Sequence, residues 1–217
     1  MRVVQFHQTG GPEILKVVEA DPPKPAKGEV LVKVHAAGLN QAELLFFQGN
    51  YIFQPGFPSL LGLEASGKVV ESGKDVVEFS EGDEVCLTPN IYPNEYGFLG
   101  EYVIAPKEAV IRKPAQLNFQ EGAAFWMSYA TSYAGLVLKG GLESGADQTV
   151  LITAASSAVG IAAIHIAKEY GATVIATTRT PEKRAFLESQ GADVVIATKE
   201  ESLLEGIKDA TNGKGFD

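Results

Sequence analysis

Val150-Leu151-Ile152-Thr153-Ala154-Ala155-Ser156-Ser157-Ala158-Val159-Gly160 decides the fold, because an apolar run of strand length passes through small residues straight into a helix-forming segment. A dinucleotide-binding βαβ unit needs that handover. The first small residue allows the tight turn, the second lets the backbone approach a pyrophosphate, and the third lets the helix pack on the strand. Ala155, Ser157 and Gly160 stand at those three positions. The N–H groups of Ser157, Ala158, Val159 and Gly160 are then expected to face a diphosphate at the positive end of the helix. Two of the three glycines of the fingerprint are replaced, so a plain packing turn stays open as the alternative.

Outward from this stretch, strands and helices alternate. Thr149 to Ala154 reads as a buried strand and Val159 to Tyr170 as a helix closed by Gly171. Thr173 to Thr177 is a second strand, and Pro181 to Gln190 a helix closed by Gly191. Asp193 to Ala197 is a third strand and Glu200 to Ala210 a third helix. Upstream, Gln120 to Lys139 has no proline and ends at Gly140-Gly141, which predicts another helix and its stop. Because each parallel connection needs a crossover helix, residues 121–217 are expected to form a parallel, doubly wound α/β domain. Phe216 and Asp217 resemble the start of a fourth strand. A six-strand domain would need on the order of 60 to 90 further residues, so an incomplete domain is expected, through a cut or as a natural half-domain.

Residues 1–120 follow another grammar. Short runs at Arg2 to Phe6, Ile14 to Glu19, Glu29 to Ala36, Ser66 to Glu71, Glu84 to Leu87 and Glu101 to Ala105 are separated by glycine and proline turns, as in a barrel or sandwich. One helix interrupts them, from Asn40 as N-cap to Gly49 as stop.

The 217 residues are 45% hydrophobic and 21% charged, which is globular composition. The net charge of −9 disfavours nucleic acid and anionic lipid as partners. The lone Cys86 excludes an internal disulfide and a zinc site of several thiolates. No signal-like or membrane-length apolar run occurs, and a cytoplasmic location is expected.

The second strand ends in Ala176-Thr177-Thr178-Arg179-Thr180, where an NAD site places an acid for the ribose 2′-hydroxyl. Thr178, Arg179 and Lys183 instead offer a hydroxyl and two cations, which suits NADP(H); a solvated surface pair is the alternative.

Taken with Gly10-Gly11-Pro12-Glu13, Ala37-Gly38-Leu39-Asn40, Gly49-Asn50-Tyr51, Pro58, Gly62-Leu63-Glu64, Gly67, Gly82-Asp83-Glu84-Val85, Gly100-Glu101-Tyr102 and Thr131-Ser132-Tyr133, these residues resemble the medium-chain dehydrogenase/reductase superfamily. The likeness is to its zinc-independent quinone oxidoreductase, or zeta-crystallin-like, branch. The resemblance implies a GroES-like β-barrel domain, an incomplete Rossmann domain after it, and an active site in the cleft between. It implies that Asn40, Tyr51 and Thr131 line the nicotinamide and substrate cavity. Asn40 could donate an amide N–H to a carbonyl oxygen, or simply cap its helix. Tyr51 could donate a proton or form an aromatic wall. Thr131 could bond the cofactor amide or its own i−4 carbonyl. Phe46, Phe47, Tyr51, Phe53 and Phe57 could form a wall for a flat substrate, or pack a core.

Metal-dependent relatives carry cysteine and histidine where this chain has Asn40 and Leu63, so no metal is expected. His7, His35 and His165 lack paired ligand spacing, and His165 reads as a helix-surface residue. Glu43 and Gln48 depart from the Asp and Arg common in relatives. The expected activity is NADPH-dependent reduction of a quinone or enone by hydride transfer. Enoyl or alkenal reduction, a non-catalytic NADPH-binding role and an inactive fragment are the alternatives, and a homo-oligomer is expected.

Overall fold

The structure, a computed structural model, describes residues 1–89 and 92–217. The chain divides into two compact units, residues 1–127 and 128–217, a boundary seven residues later than the 120/121 expected from composition.

In the first unit, β1 (Arg2–Phe6) pairs antiparallel with β2 (Lys16–Glu19), with Val3 opposite Val18. β2 starts later than Ile14 because Pro12–Ile14 forms a 3₁₀ turn. β3 (Glu29–Ala37) leads into α1 (Gln41–Phe47), which Asn40 caps in extended conformation and Gly49, at φ +75°, terminates. β4 (Ser59–Leu60), β5 (Ala65–Ser72), β6 (Glu84–Leu87), β7 (Tyr102–Pro106) and β8 (Val110–Arg112) follow. β4 and β8 were not legible, being two and three residues long.

One antiparallel sheet runs β7-β3-β5-β6-β8 and the other β2-β1-β4. Val4 N–H to the Leu99 carbonyl and Glu101 N–H to the Arg2 carbonyl, both 3.0 Å, join the edge of β1 to the approach of β7. This is the GroES-like barrel. Its core is mainly aliphatic, with Val30, Val32, Val69, Val85 and Leu87 buried around Phe98, while Phe6, Phe46, Phe47 and Leu61 seat α1.

α2 (Phe119–Tyr133) runs through the boundary and continues as a π-helical turn over Ala134–Lys139, after which Gly141 takes φ +72°. In the second unit, β9 (Thr149–Ile152), α3 (Ala158–Glu169), β10 (Thr173–Thr178), α4 (Arg184–Ser189), β11 (Val194–Ala197) and α5 (Leu203–Thr211) alternate as expected. The sheet is parallel, in the order β11-β10-β9. β10 is buried from Val174 to Thr178, as a parallel strand covered on both faces should be. The result is an incomplete Rossmann domain.

Three boundaries differ from the reading. β9 stops at Ile152 because Ala154 turns left-handed at φ +47°. Pro181–Lys183 is a 3₁₀ turn ahead of α4. α5 begins only after Ser202, whose hydroxyl accepts from Glu205 N–H at 3.3 Å. Phe216 and Asp217 form no strand, but Asp217 N–H meets the Thr149 carbonyl at 3.0 Å and its carboxylate accepts Thr149 N–H at 2.9 Å. No helix among the described residues is long and apolar enough to cross a membrane.

Candidate functional site

In the second unit the chain leaves β9 and stays in the sheet for one more bond, Ala155 N–H to the Thr177 carbonyl at 3.0 Å. Ala155 is fully buried. The left-handed Ala154 then reverses the chain, closed by Ser157 N–H to the Ala154 carbonyl at 2.9 Å. Ser157 caps α3, its hydroxyl accepting Gly160 N–H at 3.1 Å. A Cβ on Gly160 would lie 2.5 Å from the Ala155 carbonyl oxygen, so the third small residue is needed because the helix rests on that peptide.

This corrects the expectation of four N–H groups aimed at a diphosphate. Ser157 and Gly160 spend theirs inside the turn. Among the described residues only Ala158 and Val159, both exposed, keep theirs free at the helix head.

Beside this turn lies a cavity of about 590 Å³, lined by Ala154, Ser156, Ser157, Thr178, Arg179, Thr180, Lys183 and Lys199. Lys183 Nζ donates to Ser156 Oγ at 3.0 Å. Thr178 is buried, and its carbonyl accepts from both the N–H and the hydroxyl of Thr198. Among the described residues, three cations line the cavity and no carboxylate does. Thr178, Arg179, Lys183 and Ser157 are thus brought together, Ala158 and Val159 continue from Ser157, and Ala155 and Gly160 form the buried support beneath. Lys199 and Ser156 were missed in the sequence. The signal for Lys199 was its place two residues past the third strand, in register with the region past the second.

Thr131 is exposed on the part of α2 that belongs to this unit. Its neighbour Ser132 is buried and donates to the Val159 carbonyl at 2.9 Å, tying α2 to the head of α3. His165 is not the plain surface residue expected. It is half-buried, with Tyr129 Oη at 2.6 Å from Nδ1 and Gln190 Oε1 at 3.1 Å from Nε2. An amide oxygen can only accept, so Nε2 carries the proton and Nδ1 accepts from the tyrosine.

In the first unit, Asn40 sits between two buried carboxyls. Glu43, three residues into the helix, accepts Asn40 N–H on Oε2 and Leu63 N–H on Oε1, the latter at 2.9 Å. Glu64 accepts the Asn40 amide on Oε1 at 3.0 Å and Met127 N–H on Oε2 at 2.8 Å. Burial pushes Glu43 up to about 7, against the N–H groups that favour its charge and with the Glu64 charge adding a smaller push. Glu64 is raised too, chiefly by burial. Asn40 is therefore both a cap and an oriented amide with one N–H committed.

Tyr51 is half-buried, edge-on to Phe46 at 6.4 Å and tilted against Phe53 at 6.0 Å. Phe46 and Phe47 are core residues and offer no wall to a substrate, whereas Phe53 and Phe57 are 41% and 49% exposed.

A barrel followed by a parallel sheet with a strand–turn–helix handover beside a cation-lined cavity defines a two-domain dinucleotide-binding class. Residues 26–115 match the alcohol dehydrogenase GroES-like domain family and residues 158–217 the zinc-binding dehydrogenase family. The chain belongs to the medium-chain dehydrogenase/reductase superfamily. It is 33% identical over 218 residues to quinone oxidoreductase of Homo sapiens, covering all of this chain and 64% of that protein. The chain thus spans just under two thirds of that relative's length. Among solved structures it is similar to Escherichia coli quinone oxidoreductase complexed with NADPH, with TM-score 0.87 and 32% identity over 99% of this chain and 64% of that one. It is also similar to an NAD-dependent alcohol dehydrogenase, with TM-score 0.89 and 33% identity over all of this chain and 69% of that one.

The zinc that the second family's name implies does not fit the residues present. Leu63 is buried and has no lone pair, and the Asn40 amide is bonded to Glu64. His35 stacks on Phe119 at 4.2 Å. Among the described residues no three His, Cys, Asp or Glu side chains are grouped to hold a metal.

Proposed function

We propose that this chain is part of an NADPH-dependent reductase that transfers hydride to a quinone or related conjugated carbonyl without a metal. The observation that carries the cofactor reading is the cavity where Arg179, Lys183 and Lys199 converge with no carboxylate in its lining. An adenosine 2′-phosphate takes charge-assisted hydrogen bonds from such a cluster, whereas an NAD site needs an acid there. The Ala158 and Val159 N–H groups donate to the diphosphate at the positive end of α3. NADPH, when bound, supplies the hydride.

Thr131 is assigned to the cofactor amide. The second N–H of the Asn40 amide is assigned to the carbonyl oxygen that gains charge, and the Glu64 carboxylate holds that amide in one orientation. Tyr51 is the assigned proton donor to the reduced oxygen. Supporting the substrate class are relatives named quinone oxidoreductase, one of them solved with NADPH. Supporting metal independence is the pair Asn40 and Leu63 at the ligand positions.

The test is NADPH oxidation against a panel of quinones and a panel of enals, with elemental analysis of the same sample. Turnover of quinones with no bound zinc is expected. Turnover of enals alone moves the substrate class, and tight NADPH binding without turnover of either makes the protein a cofactor binder. One chelator-resistant zinc per chain overturns the metal-free chemistry.

A further inference from the structure

Among the described residues, nine lysines and arginines are in ion pairs: Arg2, Lys27, Lys68, Lys107, Arg112, Lys113, Lys168, Arg184 and Lys208. Arg179, Lys183 and Lys199 make none among the described residues, although the chain carries nine more acids than bases. Three cations converging on one cavity with no carboxylate among its described lining residues give a local positive field.

Lys199 is held at this cavity by backbone, not by chance of rotamer. Past the last register pair, Thr178 with Ala197, the two chains stay bonded through Thr198 N–H to the Thr178 carbonyl at 2.9 Å. Lys199 N–H then meets the Arg179 carbonyl at 3.0 Å. The strand ends therefore present Arg179 and Lys199 side by side. The Lys199 ammonium also lies near enough to Glu182, in the turn that carries Lys183, to act on its carboxyl. That carboxyl is held below the usual range, first by the Thr180 hydroxyl and its own N–H, and also by the Lys199 charge.

We infer that Lys199 is a specificity-determining residue of this cavity, a third cation that binds the adenosine 2′-phosphate from the β11 side while Arg179 and Lys183 bind it from the β10 side. The inference rests on the reading of the cavity as an NADPH site and adds a residue to it. A phosphate oxygen set has room for several donors, and a cation on the neighbouring strand reaches a face that the other two leave to water. For a ribose 2′-hydroxyl the same ammonium finds no charge to pair with, so its effect is confined to phosphorylated ligands.

The experiment is calorimetric titration of the 217-residue chain with adenosine 2′,5′-bisphosphate and, separately, with adenosine 5′-diphosphate. The chain is expected to prefer the bisphosphate. Lys199→Ala should weaken the bisphosphate about tenfold and leave the diphosphate unchanged, the size of one charge-assisted hydrogen bond. Lys199→Arg should restore most of the loss. Lys199 is exposed, so both variants should melt with the native chain. If the chain prefers the bisphosphate and Lys199→Ala keeps the full preference, Lys199 has no such role and the NADPH reading stands. If the unmutated chain binds both ligands equally, the NADPH reading falls and the role of Lys199 falls with it.

Discussion

Glu43 and Glu64 are the buried carboxyls among the described residues, and their titration contributes to how stability responds to pH above the usual carboxylate range, where the exposed carboxyls that are held low stay ionised. Glu43 moves from its usual 4.5 to about 7 on folding, so the folded state binds the proton more tightly. Its stabilising contribution is complete below about 4.5 and is lost as pH rises through about 7, and Glu64 acts in the same direction. A shift of that size corresponds to about 3 kcal/mol. Urea midpoints are expected to be highest near the acidic end of this window and to fall toward pH 8, with Glu43→Gln flattening the profile. A midpoint that does not change across the window in the native chain would contradict the burial of the charge. At the cavity proposed for the cofactor, Arg179→Ala should cost about tenfold in affinity for NADPH and little for NADH, read by fluorescence titration. An equal loss for both cofactors would mean that Arg179 does not see the 2′-phosphate.

At the scale of elements, the handover from β9 to α3 depends on the absence of a side chain at Gly160. The Ala155 carbonyl oxygen, 2.5 Å from where a Cβ would stand, belongs to a backbone that is itself bonded to Thr177. It cannot retreat without breaking the sheet. Gly160→Ala is therefore expected to destabilise the second unit by about 1–3 kcal/mol, the usual cost of overpacking, and to weaken adenosine bisphosphate binding as the helix head shifts. Thermal melting of the variant checks this, and an unchanged melting temperature would show that α3 has slack. Ser132 bears on the same helix head from α2 through the Val159 carbonyl.

At the scale of the whole molecule, the edge of β9 that no strand among the described residues pairs, held only at Thr149 by Asp217, is the backbone that matters. Alternate residues of a strand point their N–H and C=O groups to opposite edges. Thr149 uses both of its groups on Asp217, so Leu151 directs its own toward that same edge, away from β10. An unpaired apolar edge is a template for another strand, and concentration-dependent self-association of this chain is expected. Light scattering over a dilution series reads it. Leu151→Pro, which removes the outward N–H and no bond to β10, should reduce the associated fraction. A single monomeric species at every concentration would count against the edge as an interface.

The sequence alone determined what rests on neighbours along the chain. The small residues Ala155, Ser157 and Gly160, the cap Asn40 and the stops Gly49, Gly171 and Gly191 act within a few residues of themselves, and so the barrel, the alternating α/β order and the cation pair past the second strand were readable. Tertiary structure decided what depends on register and burial between distant segments. Lys199 meets Arg179 only because β10 and β11 pair Thr178 with Ala197. Glu43 is raised because the folded chain buries it, with the Glu64 charge adding a smaller push, and this outweighs the Leu63 N–H from twenty residues away, which favours the charged form. His165 loses its surface character only when α2 and α4 bring Tyr129 and Gln190 to its two nitrogens. Short-range propensity carries no information about such pairs, since desolvation and a bond between strands exist only once the chain has folded.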